Sequence, residues 1–127
     1  MNSPSNPSSN GSLDRETIAR LRTLAQETDP TLFAEIMNTY LGDLGKYYGA
    51  IHQALAQNDA AMVERNAHAM KGASMNTGAL ALGQLSAHIE EAAEAGNLAA
   101  VPPMLAEVEG EIRRVQADIA LELSAMA

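Results

Sequence analysis

The sequence contains no cysteine and no tryptophan among its 127 residues. The absence of thiols excludes disulfide bonds, thiolate metal sites and cysteine nucleophiles. Aromatic residues make up only 3% of the chain, whereas hydrophobic residues as a whole make up 46%. A core must therefore be built from Leu, Ile, Val, Met and Ala, a composition that favours helices over strands. The length fits one domain.

Basic residues are scarce as well, and the formal net charge is -8. An acidic surface repels the phosphates of nucleic acids and anionic lipids, so we predict neither nucleic-acid binding nor membrane insertion. No apolar run approaches the length of a membrane span, and the first residues lack the pattern of a secretion signal. These observations predict a cytoplasmic protein.

The first eleven residues differ in composition from the rest of the chain. After Met1 they consist of Ser, Asn, Pro and Gly, with no apolar side chain to bury. Such a segment predicts a disordered tail or an artificial leader over residues 1–11. Residues 12–127 are predicted to form one domain. Either a free-standing protein or a domain cut from a larger protein fits this organisation.

Apolar residues recur every three or four positions in five segments, which is the period of an amphipathic helix. The first segment predicts a short helix over about residues 13–26, with Ser12 as its N-cap. The last three predict helices over about residues 60–75, 79–95 and 101–123. Together with the second segment, these predict an all-α, up-down antiparallel four-helix bundle with an additional short N-terminal helix.

The second segment is the longest and the least regular. Asp29 and Pro30 are typical of a helix start, as the N-cap and the first helical residue. The apolar stripe then continues from Phe33 to Leu55. Three glycines interrupt the stripe and allow a bend near its middle: Gly42, Gly45 and Gly49.

The third segment places distinctive residues on its solvent side. At about 100° per residue, one face of this helix is expected to point to the core: Val63, Asn66, Ala67, Met70, Ala73, Ser74 and Thr77. The opposite face carries the candidate functional residues: Glu64, Arg65, His68, Lys71, Gly72 and Met75.

An accessible histidine beside a lysine suits transient covalent chemistry. A neutral imidazole nitrogen is a nucleophile near pH 7 and can hold a covalent group. Lys71, three residues after His68, is placed to balance the charge of an attached anion. Gly72 costs about 1 kcal/mol relative to Ala inside a helix, which makes sense if a partner must approach closely there. Met75 would supply apolar docking surface.

The run from His68 to Ala79, HAMKGASMNTGA, resembles the signature H-x-x-K-G-x-S-x-x-x-G-A of histidine-containing phosphotransfer (HPt) domains. The predicted order of helices is similar to that family as well. This resemblance implies that His68 accepts a phosphoryl group from one receiver aspartate and passes it to another, in a multistep His-Asp phosphorelay. It also implies a Gln or Glu that hydrogen-bonds the imidazole, for which Glu90 is nearest by register.

The resemblance further implies the partners, which are receiver domains of a hybrid sensor histidine kinase and of a response regulator. They would dock over a surface that includes His68 and Gly72 together with Glu64, Arg65 and Met75. The domain would have no kinase activity, cofactor or metal of its own, because the receiver supplies Mg²⁺. We expect a monomer.

Simpler interpretations apply to several residues. Ser74 is expected to have a structural role, bonding a backbone carbonyl, and His52 and His88 are interpreted as ordinary helix residues. Two other functions stay open for the whole chain. An adaptor could bind receivers without transfer, although the intact His68 argues against it. An enzyme would need either an attached ATP-binding domain or a pocket of convergent polar groups, and neither is found in these residues.

Overall fold

The computed structural model describes residues 11–125, so the tail predicted for residues 1–11 lies outside them except for Gly11. The described residues form five α-helices and no strand. The helices are α1 (Arg15–Glu27), α2 (Leu32–Ala56), α3 (Ala60–Thr77), α4 (Leu80–Glu94) and α5 (Val101–Ser124), and a 3₁₀ turn at Leu98–Ala100 precedes α5. Helices α2 to α5 form the predicted antiparallel bundle, and α1 packs across one end of it.

The core of the bundle is mainly aliphatic, as the composition predicts, and Phe33 and Tyr40 are its aromatic members. Each of the four long helices contributes side chains with less than 2% exposure, and complete burial of such a side chain stabilises the fold by about 1.5–3 kcal/mol. These side chains include Phe33, Met37, Leu44, Ile51, Val63, Met70, Leu82, Ile89, Val108 and Ile119. No helix within residues 11–125 combines the length and apolar character needed to cross a membrane.

Two predicted helix starts are wrong by a few residues. The N-cap of α1 is Asp14 rather than Ser12, and its carboxylate accepts the backbone N–H of Thr17. Helix α2 begins at Leu32, after Thr31, rather than at Pro30. The Asp29 carboxylate accepts the N–H of Thr31 at 3.0 Å, so it closes a local turn before the helix instead of capping it.

Two further observations concern glycines. Helix α2 continues without interruption past its three glycines, because apolar residues on its buried face pack along its whole length. Helix α3 continues two residues beyond the predicted Met75, and Gly78 ends it in the left-handed conformation with φ +91°. Such a backbone angle suits glycine, since it has no Cβ to clash with the chain.

Polar contacts fasten α1 to the end of the bundle. The backbone N–H of Asp14 donates to the carbonyl of Gly78 at 2.7 Å. Glu122, near the end of α5, forms ion pairs with Arg15 and Arg22 of α1. The short helix is thereby linked to both α3 and α5.

Candidate functional site

Helix α3 carries the candidate site on its outer face. Its N-cap Asp59 accepts the N–H of Met62 and so fixes where the helix begins. The side chain of His68 is 67% exposed, whereas Ala67 and Met70 on either side are fully buried. Five of the seven residues predicted for the core face of this helix are buried, and the other two, Asn66 and Ala73, are half-buried.

A single carboxylate on α4 contacts both functional side chains of α3. Glu90 Oε2 lies 2.8 Å from Nδ1 of His68, and Glu90 Oε1 lies 2.9 Å from Nζ of Lys71. The side chain of Glu90 is only 19% exposed, because it lies in the groove between the two helices. The structure thus brings together His68, Lys71 and Glu90, the phosphoryl acceptor and two of the residues predicted to support it.

These contacts determine which imidazole nitrogen is available. The hydrogen bond from Lys71 lowers the pKa of Glu90, and the bond with His68 adds to this, so that together they outweigh the effect of burial. An ionised carboxylate can only accept hydrogen bonds, so in the neutral ring Nδ1 carries the proton. Nε2 is then left with a free lone pair on the exposed ring.

Lys71 and Gly72 differ in how freely they face solvent. Lys71 is half-buried and its ammonium is already paired with Glu90, so it does not point freely into solvent as the helical wheel suggests. Gly72 is exposed, and a Cβ placed on it would meet no atom within 4 Å. The surface one turn after His68 is therefore open. The roles assigned to both residues remain predictions.

The three predicted docking residues differ in exposure. Arg65 is exposed and Glu64 is half-buried. Met75 is 46% exposed, and the rest of it lies against Gly83 of α4. A Cβ on Gly83 would come within 2.5 Å of the Met75 sulfur, so the absence of a side chain there makes room for Met75.

Ser74 is buried as predicted, but its expected partner is wrong. Its Oγ lies 2.6 Å from the hydroxyl of Tyr40 on α2 and is paired with it rather than with a backbone carbonyl. The sequence places Tyr40 on the buried stripe of α2, yet it does not show which residue of α3 lies opposite. His52 and His88 are exposed and lie outside the cluster.

His68 lies on the exposed outer face of α3. Two surface grooves of about 370 and 320 Å³ are lined by other residues, the first between α2 and α3 and the second beside Arg22 and Phe33. Within residues 11–125, no three His, Asp or Glu side chains are grouped so that they could hold a metal ion. Such an open site suits contact with another protein.

Comparison with known proteins agrees with this geometry. The family model described as the Hpt domain matches residues 35–118, a range that contains His68, Lys71 and Glu90. The chain belongs to the Hpt domain family. This Hpt domain therefore acts as a phosphotransfer carrier in a His-Asp phosphorelay, and its partners are phosphorelay proteins such as receiver domains.

Two solved structures resemble this Hpt domain over most of its length. One is histidine-containing phosphotransfer protein B (HptB) from Pseudomonas aeruginosa PAO1, with 27% identity, a TM-score of 0.81, and coverage of 87% of this chain and 93% of that one. The other is the histidine-containing phosphotransfer protein MtHPt2 from Medicago truncatula, with 23% identity, a TM-score of 0.81, and coverage of 91% and 80%. No curated protein sequence matches the chain.

Proposed function

We propose that His68 carries the phosphoryl group on Nε2, between the aspartate of one receiver domain and that of another. The observation that supports this most strongly is the 2.8 Å contact between Nδ1 of His68 and Glu90. This contact occupies Nδ1 and leaves Nε2 as the exposed nucleophile. Among the three histidines of the chain, His68 is the one that begins the H-x-x-K-G-x-S-x-x-x-G-A pattern.

In the accepting step, the lone pair of Nε2 attacks the phosphorus of an aspartyl phosphate. The N–P bond forms as the P–O bond breaks, and the bonding electron pair leaves with the aspartate carboxylate. The proton on Nδ1 stays in place, so the phosphorylated ring is positively charged and lies next to the negative charge of Glu90. In the donating step, the second aspartate attacks phosphorus and a neutral imidazole leaves.

Three residues near the imidazole support these steps. Glu90 fixes the orientation and the protonated nitrogen of the ring. Lys71 balances the charge of the phosphoryl oxygens, and Gly72 leaves the space that a docking receiver needs. Glu64, Arg65 and Met75 extend the docking surface around His68.

The receivers in this proposal belong to a hybrid sensor histidine kinase upstream and a response regulator downstream. Mg²⁺ bound in the receiver would reduce the negative charge at the transferring phosphoryl group. This Hpt domain would act as a monomer without a cofactor or kinase activity of its own. We place it in the cytoplasm, where such receivers would meet it.

Phosphoryl transfer from a labelled receiver domain tests the assignment of His68. The wild type should acquire acid-labile, base-stable label, and His68→Gln should acquire none while keeping its helical circular dichroism spectrum. His88→Gln is the matched control, because it removes an exposed histidine from the neighbouring helix and should be labelled normally. Label on His68→Gln would refute the site. A folded wild type that no receiver labels would favour a binding adaptor.

A further inference from the structure

Glu90 contacts Lys71 as well as His68, and this second contact has a consequence for the stability of the phosphorylated state. We propose that Lys71 is bound to Glu90 while His68 is unphosphorylated and moves to the phosphoryl group once His68 is phosphorylated. Glu90 is then a positioning residue that influences the equilibrium of phosphoryl transfer between a receiver aspartate and His68. This inference rests on the proposed role of His68 as the phosphoryl carrier.

The geometry separates the two positions that Lys71 can occupy. Glu90 uses one oxygen for each partner, Oε2 for His68 and Oε1 for Lys71. The N–H bond of Nδ1 and the lone pair of Nε2 point away from each other across the ring, so a phosphoryl group on Nε2 lies on the side away from Glu90. Lys71 must therefore leave or loosen its 2.9 Å contact with Glu90 to reach the phosphoryl oxygens.

Lys71 is suited to such a movement. Its ammonium is a compact charge on a flexible four-carbon stem, with three donors that can rotate toward a new acceptor. Its side chain is 35% exposed, so solvent can replace the carboxylate while it moves. A phosphoryl group carries more negative charge than a carboxylate and offers three acceptor oxygens, which makes it the stronger partner.

The contact with Glu90 nevertheless competes with the phosphoryl group for Lys71. Because the Lys71–Glu90 pair is partly exposed, its loss is worth roughly a two- to fivefold change in an equilibrium constant. Glu90 therefore keeps the phosphorylated state of His68 less favourable than it would be with a free Lys71. A carrier must pass its phosphoryl group on, so such a bias helps the donating step.

Glutamine at position 90 separates the two contacts. Its carbonyl oxygen can still accept the N–H of His68, but its NH₂ group is a donor and cannot pair with the ammonium of Lys71. Glu90→Gln should therefore free Lys71, and this release should shift the phosphoryl group from a receiver toward His68 by roughly two- to fivefold relative to the same substitution without Lys71. Loss of the Glu90 charge beside the positively charged ring acts in the other direction and does not depend on Lys71. Lys71→Gln should shift the phosphoryl group toward the receiver.

The double variant distinguishes release of Lys71 from a direct charge effect. If Glu90 acts through Lys71, then Glu90→Gln should move label further toward His68 when Lys71 is present than in the Lys71→Gln background. If its negative charge acts only directly, on the phosphoryl group or on the positively charged ring, then the shift should be equal in both backgrounds. Glu91→Gln is the matched control, because it removes an exposed carboxylate from the next position of α4 and should leave the equilibrium unchanged.

The experiment measures the equilibrium division of label between a receiver domain and each of the five proteins. The inference predicts that the shift caused by Glu90→Gln lies further toward His68, by roughly two- to fivefold, when Lys71 is present. An equal shift in both backgrounds, or none in either, would overturn it.

A second measurement needs no receiver, so it separates failure of this inference from failure of the relay function. Wild type phosphorylated with phosphoramidate should show a changed ¹³Cε resonance of Lys71, and Glu90→Gln should show a smaller change. An unchanged Lys71 resonance in the phosphorylated wild type would contradict the release of Lys71. Absence of transfer to any receiver, with the resonance changed, would count against the relay function alone.

Discussion

The hydroxyl of Tyr40 and Oγ of Ser74 lie 2.6 Å apart in the core and join α2 to the helix that carries His68. Neither residue is more than 3% exposed. Burial raises the pKa of Tyr40 far above its usual value, even though the bond with Ser74 acts in the other direction, so the phenol remains neutral. Each hydroxyl is thus the hydrogen-bond partner of the other in the buried core.

Removing one hydroxyl of this pair should lower the free energy of unfolding more than removing both. Ser74→Ala leaves the Tyr40 hydroxyl buried without its partner and should lower the free energy of unfolding by about 1–3 kcal/mol. Tyr40→Phe in the Ser74→Ala background should recover part of that loss, because no polar group is then left unpaired. Urea denaturation of the two single variants and the double variant measures this coupling. Strictly additive losses would show that the hydrogen bond contributes nothing.

Much of the site could be predicted because it depends on a single helix. The 3.6-residue period alone places His68 and Gly72 opposite Met70 on α3. The role of Glu90 as the partner of the imidazole is predicted less directly, from its position in the helix that corresponds to the neighbouring helix of the family. Its simultaneous contact with Lys71 could not be predicted, because that depends on the rotation and spacing of two packed helices.

The differences from prediction have similar physical causes. Asp29 is a residue type that often caps helices, but its side chain accepts the N–H of Thr31 in a turn before the helix. Sequence alone does not show whether an Asp will bond to the first turn of a helix or to a turn that precedes it. Met75 is exposed as predicted, but its contact with Gly83 was not predicted because it depends on how α4 packs beside α3. The choice of Tyr40 as the partner of Ser74 also depends on interhelical packing.

Gly78 should be intolerant of any side chain, for two reasons that can be measured separately. Its φ of +91° is unfavourable for other residues, and a Cβ would lie 2.9 Å from Cβ of Thr17. Gly78→Ala should lower the free energy of unfolding by about 2–4 kcal/mol. The control is Gly96→Ala, where φ is +75° but a Cβ has open space, so only the backbone cost applies.

Thermal or urea unfolding gives the loss in the free energy of unfolding for each of these two variants. The difference between the two losses is the cost of the clash with Thr17 of α1. Equal losses for Gly78→Ala and Gly96→Ala would show that Thr17 moves aside freely. Because Gly78 follows His68 by ten residues, about 15 Å along the axis of α3, the folded Gly78→Ala protein should still accept label on His68.

The ion pairs of Glu122 should make the stability of the domain depend on pH. Burial raises the pKa of Glu122, but hydrogen bonds from Arg15 and Arg22 outweigh it and hold the pKa below its usual value of 4.5. A carboxyl group with a lowered folded-state pKa stabilises the fold above its unfolded pKa, and this contribution is lost as the pH falls through the folded value.

Glu122→Gln should therefore lower the free energy of unfolding by about 1 kcal/mol at pH 7, and the difference from wild type should shrink as the pH falls below 4.5. Denaturation at a series of pH values measures this. Glu107→Gln, an exposed position on the same helix, should cause little change at any pH. A loss for Glu122→Gln that is the same at low and neutral pH would mean that packing, rather than charge, is responsible.

Gly72 offers a test of docking that is independent of stability. Its position is exposed, mid-helical and free of neighbours within 4 Å of a Cβ, so Gly72→Ala should raise the free energy of unfolding by about 1 kcal/mol. Gly72→Glu should fold equally well but place a long, charged side chain one turn from His68, where a receiver must approach. Transfer from a labelled receiver should slow in the order wild type, Gly72→Ala, Gly72→Glu.

The control for Gly72 is Gly45→Ala, which adds a methyl group to another exposed glycine with open space, on α2. It should be stabilised to a similar degree and leave the transfer rate unchanged, because the added methyl group lies on a different helix from His68. Phosphorylation by phosphoramidate, a donor too small to need the clearance, should proceed equally in all four proteins. If Gly72→Glu accepts label from a receiver as fast as wild type, then the docking receiver does not need the open space at Gly72. If it is also slow with phosphoramidate, the substitution has changed the imidazole itself rather than the docking of the receiver.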